Sequence, residues 1–190
     1  TNGIFVVDEA TAATLPAEYL VPAIDTDDIR DGQLQPPKRY AIRTTPDTPP
    51  PPAILSHLEA NMHRMDKRGL RKIPWMPPES WHRRSLSEPI LLVPRIARTL
   101  RPVRVPHGVL PINHNLSIVA ADSKTLDEIE EMLSSKEANE WMQAHAARLE
   151  SEFFSLTTTL FAATTGPFVN SLQRDGLAIR AFQETPPSFL

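Results

Sequence analysis

The sequence predicts an α/β (α+β) fold, with a small mixed sheet, flanking helices and proline-rich connections. Short runs of apolar, strand-prone residues alternate with segments in which apolar residues recur at helical spacing. The 190 residues include 20 prolines but only 6 glycines. Because proline interrupts both helices and sheet ladders, we expect short elements joined by stiff, extended connections.

The N-terminal part contains one expected strand and one segment that proline interrupts. Residues 4–7 are a short apolar run, which predicts a strand, and a helical turn should follow it. Residues 16–24 are also largely apolar, but they include Pro16 and Pro22. Since proline cannot donate a ladder hydrogen bond, the sequence predicts no central sheet strand here.

Residues 25–31 hold four aspartates and are interpreted as a solvated loop. Clustered carboxylates can bind a metal ion, but the alternating ligands of a calcium loop, with its glycine and terminal glutamate, are absent. A short strand is expected next, at residues 39–43.

Four consecutive prolines, residues 49–52, precede the first long helix. Such a run can bind the aromatic groove of a partner module, but it also makes a stiff spacer that ends at a helix start. Apolar residues recur at helical spacing from 53 to 68, which favours the spacer. Gly69 marks the expected end of this helix.

Trp75 and Trp81 lie in the basic, proline-broken stretch that follows. Aromatic side chains interleaved with cations can stack on bases. Tryptophan is more often a partly buried packing residue, however, and we predict that role for both.

Residues 89–104 begin as an apolar, strand-prone run and end as a basic one. Arginines recur there at every third position: Arg95, Arg98, Arg101 and Arg104. Residues 116–120 predict the next strand, so the interval between the two strands is interpreted as a loop. Its four arginines, two histidines and two asparagines can contact phosphates and base edges.

The third part of the chain is predicted to be helical. Ser123 can cap a first helix, whose apolar residues extend to Leu133. A second helix is expected from about residue 136 to residue 154, with His145 packed or hydrogen-bonded on its apolar stripe. Residues 156–163 fit either a last strand or a continuation of the helix.

Positive charge is concentrated in one part of the sequence. Residues 61–110, which we name the basic segment, contain eleven Lys or Arg and three acidic residues, a net charge of +8. The whole chain carries −3, so the flanks total −11. This separation suits a protein with one face toward phosphates. A solvated basic loop opposite acidic helices explains it equally well.

Composition and motifs exclude several classes of function. There is no cysteine for a disulfide or a thiolate metal site, and no apolar run of membrane-spanning length. We therefore expect a cytoplasmic protein without membrane association. A serine hydrolase elbow, a phosphate-binding glycine loop, a dinucleotide fingerprint and a zinc spacing are all absent.

The order of several segments along the chain carries a family resemblance. These are residues 3–7, 15–24, the helix with Leu55, Leu58 and His63, Trp81, and residues 89–98, 115–119 and 126–136. In this order they resemble the C-terminal target-recognition region of Taq-type, gamma-class DNA adenine methyltransferases of restriction-modification and phage-defence systems. The resemblance covers roughly residues 1–167.

The resemblance implies a specificity domain, residues 1–167, that binds duplex DNA opposite a catalytic domain. The catalytic domain flips the adenine and methylates it with S-adenosylmethionine. The DNA-facing part would be residues 61–115 and the C-terminal helical part residues 123–155. Residues 168–190 would form a tail, partly disordered.

The Asn-Pro-Pro-aromatic catalytic motif and the glycine-containing cofactor motif of that family are absent from these residues. By itself the chain should therefore neither bind S-adenosylmethionine nor transfer methyl groups, and no catalytic, cofactor or metal residue is predicted in it. It would be a fragment, or one subunit of a split enzyme, with the cofactor in the catalytic part.

Candidate DNA-binding residues come from the resemblance and from residue type. Arg95 and Arg98 match the family's basic positions where the strand ends. Arginine can contact phosphates and guanine, and asparagine can contact adenine. The further candidates are Arg71, Lys72, Arg101, Arg104, His107, Asn113, His114 and Asn115.

The sequence thus predicts the DNA-binding, sequence-recognition portion of a site-specific DNA adenine methyltransferase. Its partners would be double-stranded DNA, the catalytic domain or subunit, and other defence-system proteins. The alternative is a protein-interaction or scaffold module of a defence complex. In that case the basic face and residues 49–52 bind an acidic partner, and DNA is not contacted.

Overall fold

The structure is a computed structural model that describes most of the chain. The described residues are 2–30, 32–65, 72–112, 115–119, 123–149, 152–157 and 178–181. The helices are α1 (Glu9–Ala12), α2 (Pro52–Met62), α3 (Ser123–Ser134) and α4 (Lys136–His145). The strands are β1 (Val6–Asp8), β2 (Leu20–Ile24), β3 (Ile29–Arg30), β4 (Gln33–Leu34), β5 (Arg39–Ile42), β6 (Ile90–Pro94), β7 (Ile96–Ala97), β8 (Val103–Val105), β9 (Leu110–Pro111), β10 (Asn115–Val119), β11 (Ala147–Arg148), β12 (Phe154–Ser155) and β13 (Ala178–Ala181).

The first four-stranded sheet has the order β1-β5-β2-β9. Strand β5 pairs antiparallel with both β1 and β2, and its buried Ala41 lies opposite Val21. Helix α2 covers this sheet with Ile54 and Leu58, which share one buried cluster with Trp81. Burying an aliphatic side chain of this size contributes about 1.5–3 kcal/mol. The predicted packing role of Trp81 is confirmed.

Strand β2 lies inside this sheet, so the prediction that its prolines exclude a central strand is wrong. Pro22 is opposite Tyr40 of β5, whereas the parallel ladder with β9 begins at the next residue, where Ala23 pairs with Leu110. Pro22 therefore lies where β2 has a single neighbour. Its missing N–H removes no ladder bond on the β9 side.

The aspartates at 25–31 are more ordered than the solvated loop that the sequence suggested. Asp25 and Asp28 form a capping box around a 3-10 helix at Thr26–Asp28, in which the Asp25 N–H donates to Asp28 Oδ2 at 2.8 Å. Arg39 donates from Nη2 to Asp28 Oδ1 at 3.4 Å. These contacts explain why Asp28 is buried.

Strand β6 is central to the second sheet, whose order is β13-β10-β6-β8. Successive side chains of a strand point to opposite faces, and all five residues of β6 are buried. Leu91 and Val93 pack with Leu133 of α3 in one cluster. Leu92 packs on the other face, in a cluster that includes Ile24 of the first sheet. β6 thus lies between the helices and the first sheet.

The interval between β6 and β10 is not a loop, contrary to the sequence interpretation. It contains β7, β8 and β9. β8 pairs antiparallel with β6, which places Arg104 opposite Leu91. Val103 and Val105 on either side of Arg104 are buried. This short alternation of buried and polar residues is typical of a strand, but the regular arginine spacing obscured it.

Helices α2 and α4 are shorter than predicted. α2 ends at Met62, and part of the predicted continuation lies outside the described residues. α4 ends at His145, because the chain turns into the strand pair β11–β12. Leu149, which the predicted helix 136–154 includes, lies beyond its actual end and is exposed. Helix α3 agrees with the prediction.

Strand β13 lies in the segment 168–190, where no regular element was expected. It pairs antiparallel with β10 along four residues, from Ala178 to Ala181. In the described part of the chain, the mixture of helices and small sheets confirms the predicted α/β class. No described helix is long and apolar enough to cross a membrane.

Candidate nucleic-acid interface

Arg104 is bound to acidic residues of the same molecule. From β8 its side chain reaches α3, where Nη2 donates to Asp127 Oδ1 at 2.5 Å and Nε donates to Glu130 Oε2 at 2.7 Å. Charge-assisted bonds to two carboxylates neutralise the guanidinium locally. The structure therefore does not favour Arg104 as a phosphate contact.

Arg95 and Arg98 also make contacts within the chain. Arg95 is half-buried and donates from Nε to the carbonyl of Leu156 at 3.3 Å. The guanidinium of Arg98 lies over the ring of Phe153, 4.9 Å from its centroid. Arg98 is exposed and makes no ion pair with a described carboxylate. Both side chains are held against the strand pair β7–β12.

Arg101 occupies a different environment, at the edge of an open cleft. The cleft has a volume of about 390 Å³ and is lined by Gly32, Thr99, Leu100, Arg101, Pro102, Ser134 and Asn139. Arg101 is exposed and has no ion pair in the part of the chain that the structure describes. A cation beside the hydroxyls of Thr99 and Ser134 can bind an anion.

Asn139 and Gly32 shape this cleft. The Asn139 Oδ1 accepts a hydrogen bond from the Leu100 N–H at 2.7 Å, and its Nδ2 donates to the Ser135 carbonyl at 3.0 Å. Gly32 has φ +75, and a Cβ atom added to it would lie 3.2 Å from Arg101 Cδ. The glycine therefore provides both the left-handed turn and the room for Arg101.

Arg43 fixes the turn that carries Trp81. Its Nη2 donates to the carbonyls of His82 at 3.2 Å and Arg84 at 2.6 Å, and its Nε donates to the carbonyl of Trp81 at 3.3 Å. Thr44 adds a bond from Oγ1 to the Trp75 carbonyl at 2.6 Å. The carbonyls of this turn are thus satisfied by side chains of the two residues that follow β5.

The environment of this turn changes the pKa of His82. Burial, followed by the positive charges of Arg83 and Arg43, lowers the pKa of His82, and Asp47 opposes them weakly. Its Nδ1 has no hydrogen-bond partner among the described residues. The environment therefore favours the neutral imidazole.

Lys72, Arg83 and the imidazole of His107 are also exposed in the basic segment. None of them makes an ion pair with a described residue. The Gly108 N–H donates to the Leu86 carbonyl at 2.9 Å, which places the His107 turn beside the residues that follow Arg83. Arg83 was not among the individually predicted DNA-binding residues, although its residue type and its position in the basic segment were the available signals.

The structure describes only some of the other candidates. Three of them lie outside the described residues: Arg71, Asn113 and His114. Asn115 is the first residue of β10 and lies opposite Pro94 of β6. The predicted set is therefore not one cluster. Arg104 lies on β8 and Asn115 on β10, Lys72 lies between α2 and β6, and the other described members lie in the connections beside β7 and β8.

The described part of the surface carries side chains that can bind anions. Among described residues, no group of three or more His, Asp or Glu side chains could hold a metal ion. Exposed cations and hydroxyls bind anions, and the arginine guanidinium matches the geometry of both phosphate and carboxylate groups. No protein-family model matches the chain, and no curated protein matches it.

Proposed function

We propose that this chain binds duplex DNA and is the sequence-recognition portion of a site-specific DNA adenine methyltransferase. The observation that carries the proposal is the position of Arg101 and His107, which are exposed on either side of β8 and make no ion pair with a described residue. They lie in a segment of net charge +8 within a chain of net charge −3. This local excess of positive charge is typical of nucleic-acid-binding surfaces and supports the proposal.

The separation of the two residues suits a phosphate backbone. An extended chain advances about 3.3 Å per residue, so Arg101 and His107, six residues apart on either side of β8, are separated by at most about 20 Å. Phosphates of one DNA strand follow one another at about 3.4 Å along the helix axis. A duplex of about six base pairs is therefore long enough to contact both residues.

The cleft around Arg101 supports a phosphate contact there. The guanidinium can donate two parallel hydrogen bonds to a phosphate, and the hydroxyls of Thr99 and Ser134 can donate further ones. His107 is placed at the other end of β8, where an imidazole can contact a base edge or a phosphate. Lys72, a predicted candidate, and Arg83 extend the positive surface.

The methyl-transfer reaction would be carried out by the catalytic domain or subunit and not by this chain. The proposed catalytic domain or subunit would supply S-adenosylmethionine and the catalytic motif, neither of which this sequence provides. The chain would position that partner on its target and bind the duplex on which an adenine is flipped.

The test is a titration of the chain with a mixed-sequence duplex at several salt concentrations. Replacing Arg101 by glutamine should weaken binding severalfold and reduce the slope of log K against log salt by about 1, the loss of one phosphate contact. The matched control is Lys136→Gln, which removes one positive charge outside the basic segment. It should leave the slope unchanged.

Two results would contradict the proposal. One is the absence of binding at low salt, and the other is an equal effect of Arg101→Gln and Lys136→Gln, which would indicate only the general charge of the molecule. Adding a catalytic methyltransferase portion then tests recognition itself: methylation should return at one defined sequence.

A further inference from the structure

Strands β3 and β4 form a short antiparallel hairpin, residues 29–34, which we name the hairpin. Ile29 is opposite Leu34 in this hairpin, and Arg30 is opposite Gln33. Directly opposed residues of antiparallel strands place their side chains on the same face, and successive residues alternate between the faces. The hairpin therefore has an apolar face with Ile29 and Leu34 and a polar face with Arg30 and Gln33.

The apolar face of the hairpin packs against β8. Ile29 and Leu34 are partly buried against a cluster that includes Val103 and Val105 of that strand. β8 is also the strand that has Arg101 on one side of it and His107 on the other. The packing therefore fixes the hairpin next to the surface for which DNA binding is proposed.

The turn of the hairpin lies against Arg101. A Cβ atom added to Gly32 would lie 3.2 Å from Arg101 Cδ and 3.6 Å from Arg101 Cβ. Gly32 also lines the open cleft beside Arg101. A phosphate bound by Arg101 would consequently lie close to the end of the hairpin.

The polar face of the hairpin carries two side chains that suit base edges. Arg30 and Gln33 are both exposed, and Arg30 makes no ion pair with a described residue. Arginine can donate two hydrogen bonds to O6 and N7 of guanine, and glutamine can pair in the same way with N6 and N7 of adenine. Asp31, between them in the chain, lies outside the described residues.

Aspartates precede the hairpin in the chain. Arg39 lies 3.9 Å from Asp25 and 3.4 Å from Asp28, so it compensates their charge. Asp27 is exposed and has no ion pair in the described part of the chain. A carboxylate repels phosphates but accepts a hydrogen bond from the amino group of cytosine. The local charge therefore favours contacts with base edges over contacts with the phosphate backbone.

We propose that the hairpin enters the major groove of duplex DNA and is a base-reading element of this chain. This inference rests on the proposed function and deepens it: Arg101 holds a phosphate, while Arg30 contacts guanine and Gln33 contacts adenine. The major groove of DNA is wide enough for a two-stranded β-ribbon, and such ribbons read bases in other proteins.

The spacing of the two side chains limits the sequence that they can read. The Cβ atoms of directly opposed residues lie about 4.5–5.5 Å apart. Successive nucleotides of one DNA strand advance about 3.4 Å along the axis. Arg30 and Gln33 therefore reach neighbouring base pairs, and the favoured site contains a G·C pair next to an A·T pair.

The experiment is a selection by the full chain from duplex DNA with a randomised centre, followed by sequencing. The chain should enrich a G·C pair next to an A·T pair. Arg30→Ala should reduce the preference at the G·C pair about tenfold, and Gln33→Ala should do the same at the A·T pair. The matched control is Gln143→Ala, which removes an exposed glutamine of α4 and should change neither preference. Unchanged affinity of Gln33→Ala for a mixed-sequence duplex would confirm that this variant is folded.

Modified bases test the contacts atom by atom. Replacing the selected guanine by 7-deazaguanine removes its N7 acceptor in the major groove. The change should weaken binding by the unaltered chain severalfold and have no effect on Arg30→Ala. Likewise, 7-deazaadenine at the neighbouring pair should weaken binding by the unaltered chain and have no effect on Gln33→Ala. Duplex RNA of the selected sequence should bind at least tenfold more weakly, because its major groove is too narrow for side chains to read.

Different outcomes would overturn the hairpin proposal and the proposed function. Variants of Arg30 and Gln33 that enrich the same sequence as strongly as the unaltered chain would overturn the hairpin proposal alone. Enrichment of no sequence, or equal affinity for duplex RNA, would also overturn it, while salt-dependent DNA binding through Arg101 would persist. Absence of binding to any duplex at low salt would contradict the proposed function itself, and the hairpin proposal with it.

Discussion

Arg104 and Arg101 are three residues apart and have opposite environments. Arg104 binds Asp127 and Glu130 of α3, whereas Arg101 is exposed at an open cleft without an ion pair in the described part of the chain. Residue type and spacing suggested the same role for both. The comparison shows that an arginine is available to a ligand only where the fold brings no carboxylate or carbonyl to it.

Arg43 extends the comparison to a residue outside the basic segment. It binds three backbone carbonyls, so its charge organises a turn rather than a surface. The fold therefore contains internally bound arginines, Arg43 and Arg104, and a surface arginine, Arg101. The two kinds should respond differently to substitution.

The largest effect is expected for Arg43→Gln. Glutamine removes the charge and most of the hydrogen bonds to the turn at Trp81, and each bond to a charged group contributes about 1.5–3 kcal/mol without strict additivity. The free energy of unfolding should fall by about 3 kcal/mol in urea titration. Arg83→Gln, an exposed neighbour, is the control and should change stability by less than about 0.5 kcal/mol. Equal effects would contradict the internal role of Arg43.

Gly32→Ala should affect both the fold and Arg101. The positive φ costs a non-glycine residue about 1–2 kcal/mol, and the new Cβ would press on Arg101 Cδ. Gly108→Ala is a matched control, because its φ is +78 but no atom lies within 4 Å of the added Cβ. Both variants should lose similar stability in thermal unfolding. A greater loss of DNA affinity in Gly32→Ala would show that Arg101 has moved.

Arg104→Gln should have a smaller effect on stability and little on DNA affinity. The Arg104 side chain is 33% exposed and those of Asp127 and Glu130 are 72% and 36% exposed, so water screens the pairs. We expect a loss of about 1 kcal/mol. A double-mutant cycle with Glu130→Gln measures the coupling. A salt slope reduced as much as in Arg101→Gln would mean that Arg104 contacts phosphate after all.

The smallest effect is a pH dependence due to His82. Its pKa in the folded state lies below the ordinary value of 6.5, so the unfolded state binds more protons as the pH falls from about 7 to about 5. The free energy of unfolding should decrease over that interval. His82→Gln should flatten the dependence, and Arg43→Gln should weaken it, because Arg43 contributes to the lowered pKa. An unchanged slope in His82→Gln would exclude this cause.

Local sequence patterns predicted much of the fold. β5, β6, β10 and α3 follow from short apolar runs and helical spacing, which depend on neighbouring residues alone. The position of β2 and the end of α4 did not follow from such patterns. Pro22 is tolerated because the ladder with β9 starts one residue later, and α4 ends because β12 offers a distant pairing partner.

The candidate site was predictable as a region but not residue by residue. The net charge of residues 61–110 follows from composition alone. It indicated that the site would lie in the region of β6, β8 and their connections. No local pattern predicted the other residues that line the cleft with Arg101, because they come from three separate parts of the chain: Gly32, Thr99 and Ser134. Exposed Leu149 was missed since helical periodicity was assumed beyond His145.

The sequence by itself determined where positive charge accumulates and which short segments are buried, because both depend on residue type and on local spacing. Only the tertiary structure decided which arginines remain available. Arg104 meets its carboxylates 23 and 26 residues away, and Arg95 meets its carbonyl 61 residues away. Such contacts exist only once the strands and helices have packed, so no local pattern could reveal them.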